Sequence, residues 1–348
     1  MRMLLAFHPQ SFLQGNRSLD RGCTLVFTLH KKASILIVME IYSTLRKVKH
    51  QCFLLKKSTK NKFDNFKDNF LIRSDRFRDY HYQQEKYTKI IGGQILPNSY
   101  TFSINHLLFN SKKYSAFPNP VPMRLFCVWA GENVITPNRI KSLDILKKVN
   151  KEIEVILIDN SNLDQWIVPD HPLPKIYEHL SYNHRSDYLR SYLMHHHGGA
   201  YSDIKEINAP WAPLLKKLNS REDVWVIGPQ EVSSFNCSPA KGRLGNDQKR
   251  YFTKLICPAA MACKPKSQFT SEWLGEVERR LRYYEDLLQE NPAEQPWGSN
   301  TNYPIAWNAL GGQIFSPLCL KFKDQIIVDT KTVFTSELRK SVAIGNHR

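Results

Sequence analysis

Asn183-His-Arg-Ser-Asp-Tyr-Leu-Arg-Ser-Tyr-Leu-Met-His-His-His-Gly-Gly-Ala-Tyr-Ser-Asp-Ile-Lys205 is the stretch of this 348-residue chain from which fold and chemistry are read. Its spacing predicts a helix from about Arg185 to His197, closed by Gly198-Gly199, because glycine adopts the left-handed backbone at C′ without steric cost. Leu189, Tyr192, Leu193 and His196 recur at helical spacing and form the core face. Asp187 and Arg190, three apart, lie on a neighbouring face near the helix start, within reach of one ligand. Ala200 to Ile204 then makes a short strand that delivers Asp203 near its end. Consecutive residues on a helix point about 100° apart, so at most two of His195, His196 and His197 could share a metal ion. The expected arrangement is instead a cationic stack at the negative end of the helix dipole.

On the N-terminal side, Arg124-Leu-Phe-Cys-Val-Trp129 reads as a buried strand. Thr136-Pro137 starts a helix, with Thr as N-cap and Pro in the first turn, that runs to about Asn150. Glu154 to Ile158 is a second strand. Strand, helix, strand at this spacing is the unit of a parallel α/β sheet, whose ligands bind beyond the carboxyl ends of the strands. Trp129-Ala-Gly131 and Asp159-Asn160 occupy those positions. On the C-terminal side, Asp223 to Ile227 and Ala259 to Cys263 read as further strands. Ser233 to Gln248 reads as a loop able to close over a ligand. Ser267 to Gln289 is one amphipathic helix, with Trp273, Leu274, Val277, Leu281, Tyr284 and Leu288 facing the core.

The formal charge is +17, and residues 1–120 hold 20 Lys and Arg against 7 Asp and Glu, so most of the excess lies there. The rest has the balance of an ordinary enzyme domain, and the high pI says little about its substrate. Three prolines in Pro118-Asn-Pro-Val-Pro122 exclude a helix and mark a linker. The expected organisation is a basic, loosely helical or poorly ordered region over residues 1–118 and an α/β domain over 119–348. The apolar runs at 23–29 and 33–39 are each too short to span a bilayer, which needs about 20 residues, and no signal-peptide pattern is present. Seven cysteines, with no CxxC pair, argue against a zinc ribbon or a disulfide framework. The expectation is a cytoplasmic protein, with peripheral membrane contact through the basic N-terminus as a further option and a basic nucleic-acid-binding protein as the least favoured alternative.

Ser186-Asp187-Tyr-Leu-Arg190, the apolar helix, Gly198-Gly199 and Ala200-Tyr201-Ser202-Asp203-Ile204-Lys205 together resemble the DXD-motif glycosyltransferases. The resemblance is in particular to the capsular polysaccharide synthesis protein family and its sugar-binding-region relatives. It extends weakly from Arg124 through Ile207 and again over residues 303–317. It implies a GT-A fold, a Rossmann-like sheet with flanking helices that binds a nucleotide-diphosphate sugar, and hexosyl transfer to a saccharide or other hydroxyl acceptor with retention of configuration. Carried over by position, Trp129 would lie against the nucleotide base, and Asp187, Arg190, Tyr201 and Asp203 would hold the donor. Asp203 would also be the first acid of the metal motif, taking Mn²⁺ or Mg²⁺. In the polar loop that follows Gln295, Trp297 is an expected acceptor platform.

Lys205 departs from the pattern, standing where the motif has its second acid. Three readings follow. Lys205 joins Asp203 in catalysis by supporting the diphosphate in place of part of the cation's charge. Alternatively, Asp203 keeps the metal, with Glu206, Asn300 or Asn302 completing the shell. Or the chain is a non-catalytic, nucleotide-sugar-binding relative with a degenerate motif.

Overall fold

The computed structural model describes residues 45–46, 48–53, 59–60, 62–91, 94–97, 120–235, 237, 242–295, 298 and 302–330. The apolar runs at 23–29 and 33–39, Trp297, Asn300 and most of the linker lie outside them. The chain divides into two compact units, Met1–Phe66 and Lys67–Arg348. The described residues of the first unit are helical.

The second unit holds a hairpin, β1 (Thr88–Ile91) and β2 (Gln94–Pro97), and a six-stranded sheet. The sheet strands are β3 (Arg124–Val128), β4 (Glu154–Ile158), β5 (Gly199–Ser202), β6 (Val226–Pro229), β7 (Ala260–Cys263) and β8 (Ile326–Asp329), in the order β4-β3-β5-β7-β6-β8. Only β7 runs antiparallel to its neighbours. The carboxyl ends of the other five strands therefore share one edge. Trp129, Asp159, Asp203, the residues after Pro229, and Asp329 all lie along that edge.

Alternation along the strands sorts the core into two layers. Phe126, Val128, Tyr201, Met261 and Cys263 face one cluster, which is covered by α2 (Tyr182–His196), α5 (Gln268–Tyr283) and α7 (Gly312–Lys321). Leu125, Cys127, Ala200, Ala260 and Ala262 face the other, covered by α1 (Pro137–Val149) and α3 (Ala212–Asn219), with Trp211 fully buried between them. This is a three-layer α/β/α arrangement.

Several boundaries differ from expectation. The Ser267–Gln289 helix is two helices, α5 and α6 (Glu285–Glu290), because the chain leaves helical geometry at Tyr284. The expected loop over 233–248 becomes a helix in its second half, α4 (Gly242–Arg250). Thr136 precedes α1 without a side-chain capping bond, although Pro137 stands in the first turn as expected.

The sheet-bearing unit also begins well before the expected 118/119 boundary. Tyr80 and Tyr87 are buried in the core, and Tyr80 donates to Tyr87 Oη (2.8 Å), which donates to Asp247 Oδ2 (2.7 Å) on α4. The Asp68 carboxylate accepts from the Ser234 amide and hydroxyl. Polar spacing hid this flank because its partners are more than 150 residues away in sequence. Among the described residues Cys52, Cys127, Cys237, Cys257, Cys263 and Cys319 are free thiols, and no helix is long and apolar enough to cross a membrane.

Candidate active site

Ser181 caps α2, accepting from the His184 amide at 3.3 Å, so the helix starts a turn earlier than its apolar pattern suggests. That start sets Asp187 and Arg190 inward, one turn along, beneath the carboxyl end of β5. Gly198 (φ +62°) and Gly199 (φ +103°) then reverse the chain, and a Cβ on Gly198 would stand 2.5 Å from Pro265 Cδ. The strand that follows carries Tyr201 and Asp203 back over Arg190.

The result is a closed charge network. Arg190 Nη2 donates to Asp203 Oδ1 (3.0 Å) and Tyr201 Oη (3.2 Å), Nη1 donates to the Pro258 carbonyl (2.9 Å), and Asp187 Oδ1 lies 3.4 Å from Nη1. The guanidinium also lies over the Tyr201 ring, 4.5 Å from its centre. Tyr201 Oη donates to Asp203 Oδ1 at 3.1 Å, and Lys205 Nζ sits 3.0 Å from Asp203 Oδ2.

The two i, i+2 side chains Asp203 and Lys205 meet, while Ile204 between them is buried in the α1/α3 core. Arg139 donates to the Ile204 carbonyl and fastens that turn. Asp203 keeps 26% of its side chain exposed, against 10% for Lys205 and 9% for Asp187, so it is the member that faces solvent. Burial opposes its charge, but Lys205 and Arg190 outweigh burial and hold the Asp203 carboxyl below the usual carboxylate range. Burial raises Asp187 to about 6 against the pull of Arg190.

Among the described residues the side chains do not make a donor set for the divalent cation that the resemblance implies. Both oxygens of Asp203 already take cationic or hydroxyl partners. Among the described residues no three His, Cys, Asp or Glu side chains converge as metal ligands, and Glu206 is exposed. A Mg²⁺ placed on Oδ2 at its usual ~2.1 Å would stand within about 5 Å of the Lys205 ammonium. At an effective dielectric of about 20 the repulsion is on the order of 6 kcal/mol, which offsets a large part of the attraction that the one carboxylate supplies.

Glu231, two residues past β6, is a site residue that sequence reading missed. It is 2% exposed, its Oε1 accepts from the Val232 amide at 2.7 Å, and Lys205 acts on it electrostatically. Burial raises its carboxyl to about 7, against the lowering effects of the Val232 amide and Lys205. The signal was available: β6 ends at Pro229, two residues beyond the expected Ile227, which puts Glu231 at the carboxyl edge. Between about pH 4.5 and 7 the folded protein keeps a proton on Glu231 that the unfolded chain has released, so rising pH costs stability across that window. Glu231→Gln is therefore expected to stabilise by up to about 3 kcal/mol at pH 8 and by nothing at pH 4.5, read from urea midpoints at the two pH values. An equal effect at both would remove the titration argument.

Other expected positions resolve as follows. Trp129 is half-buried against the α1/α3 core, and its Nε1 donates to the Asn133 carbonyl at 2.7 Å, which fixes the ring at the end of β3. The histidines are not a cationic stack. Burial lowers His195 to about 4 and His196 to about 3 and lowers His197 from its ordinary value, so all three imidazoles are held toward the neutral form, and His196 Nε2 meets His171 Nδ1 at 3.0 Å.

The segment 303–311 closes the other side of the site. The Nε2–H of His184 donates to the Ala306 carbonyl (3.2 Å), leaving Nδ1 to accept from Tyr303 Oη (2.8 Å). Burial, opposed by bonds to the Ala306 and Trp307 backbone, keeps His184 neutral by lowering it to about 4. Gly311 lies so close to Asp187 that a Cβ there would stand 3.0 Å from both carboxylate oxygens.

A mixed six-stranded sheet between helical layers, with an acidic and basic cluster at the carboxyl ends of its parallel strands, is compatible with the Rossmann-like GT-A fold. Residues 83–204 match the model of a known family, the capsular polysaccharide synthesis proteins. The match begins at the flank that packs on α4 and runs through Asp187, Arg190, Tyr201 and Asp203, and it associates the chain with capsular polysaccharide synthesis. No curated protein and no solved structure matches the chain.

Proposed function

We propose that this protein is a glycosyltransferase that moves a sugar from a nucleotide-diphosphate donor to a saccharide or other hydroxyl acceptor. The observation that carries the reading is the Asp187, Arg190, Tyr201, Asp203 and Lys205 network, at the carboxyl edge of the sheet and on the same edge as Trp129. Breaking the bond between sugar and diphosphate builds negative charge on the leaving group, and preorganised cations stabilise it. Arg190 and Lys205 supply fixed positive charge there. Asp187 and Asp203 keep both cations oriented and offer acceptors for sugar hydroxyls. Trp129 supplies a flat apolar surface for the base.

The test is calorimetric titration with a panel of nucleotide sugars, followed by nucleotide release in the presence of candidate saccharides. Trp129→Ala is expected to weaken donor binding on the order of 10-fold, the usual worth of one base stacked on an aromatic ring. If no nucleotide sugar binds to the folded protein, the reading falls. The second reading, a nucleotide-sugar-binding protein without turnover, is favoured by the ion pair that Lys205 makes with Asp203. Donor binding without product under every acceptor would select it.

A further inference from the structure

On the reading just given, we infer that Lys205 is the site's built-in cation and that the donor diphosphate binds without a divalent metal. An acid at position 205 would face Asp203 from the same side, because the turn after β5 brings the side chains of 203 and 205 together. Here the same geometry delivers an ammonium to Asp203 Oδ2 at 3.0 Å. The ammonium is not free to swing into solvent. Lys205 is 9% exposed, the chain below it is fastened by the buried Ile204 side chain and by the Arg139 bond to the Ile204 carbonyl, and the Asp203 amide donates to the Ala259 carbonyl at 2.8 Å.

Charge balance points the same way. Asp187 and Asp203 face Arg190 and Lys205, two acids against two cations, so the pairs are matched before any ion arrives. Asp203 is the most open member, and Arg190 and Lys205 flank it, one at each carboxylate oxygen. A tethered ammonium offers three donors and a point charge, which suits phosphate oxygens without coordination geometry.

The experiment titrates the full-length protein with UDP, GDP, ADP and CDP, in excess EDTA and separately with Mn²⁺ or Mg²⁺. Wild type, Lys205→Met, Lys205→Arg and Lys205→Asp are compared, each checked for cooperative unfolding. The expected result is one preferred diphosphate bound equally well with EDTA and with metal. Lys205→Met should weaken it by about 10- to 100-fold, the worth of a charge-assisted hydrogen bond, and Lys205→Arg should restore part of the loss. Lys205→Asp should bind only when Mn²⁺ is present. Two outcomes overturn the inference while leaving the proposed function standing: wild-type binding that requires metal, or EDTA-insensitive binding that survives unchanged in Lys205→Met. Absence of binding by every folded variant under every condition removes the proposed function itself.

Discussion

Asp203→Ala is expected to lower turnover by about 10²- to 10³-fold, the usual cost of one electrostatic element lost from a transition-state site. Asp203 joins the two cations: Oδ1 takes Arg190 and Tyr201, and Oδ2 takes Lys205. Without it Lys205 and Arg190 keep their charge and lose their aim. The expected signature is therefore a fall in kcat with little rise in donor KM, since an ammonium released from its carboxylate partner still attracts a diphosphate. Asp203→Asn, which can still accept from Arg190 and Tyr201 but no longer carries charge, should fall between the two. Initial rates of nucleotide release with the donor selected by titration check this, and turnover within about three-fold of wild type would take Asp203 out of the mechanism.

Arg190→Leu should be the most destabilising single change at the site, at about 3–5 kcal/mol. The guanidinium is buried beneath β5 and serves Asp203, Tyr201, Asp187 and the Pro258 carbonyl together. Burial works against its charge, but Tyr201, Asp203 and Asp187 together raise its pKa, so it is protonated at every accessible pH. Removing it strands the Asp187 carboxylate in a pocket whose other wall is the Gly311 backbone. A loss of that size is a large share of the ~5–15 kcal/mol that holds a typical domain together. Arg190→Lys keeps the charge but cannot span the same partners, and should cost about half as much. Urea unfolding at pH 7 measures both, and a loss below about 1 kcal/mol in Arg190→Leu would mean that the network is solvated in the native state.

Legibility in the sequence followed the range of the interactions. The helix and the Gly198-Gly199 reversal were readable because each rests on contacts within a few residues, whereas the strand stops at Ser202 and leaves Asp203 just beyond it. The meeting of Asp203 and Lys205 was not legible, because β5 ends at Ser202 and it is the turn beyond it that brings the two side chains together. The break at Tyr284 was invisible, since the apolar spacing continues through it from Leu281 to Leu288. The neutral histidines were misread because dipole reasoning treats a helix end as solvated. His196 instead packs against His171 and Tyr192, and burial outweighs the dipole.

The sequence by itself determined the α/β class, the register of the Asp187, Arg190 and Asp203 motif, and the lysine in place of the motif's second acid, because backbone periodicity and glycine conformation are local properties. Only the tertiary structure decided that the flank carrying Tyr80 and Tyr87 belongs to the sheet-bearing unit. It alone brought Glu231 to the same edge as Lys205, and it alone closed the site with Gly311 against Asp187. Each of these joins residues far apart in sequence, and the desolvation that makes Glu231 and Asp187 hard to ionise exists only once those distant segments have displaced water from around them.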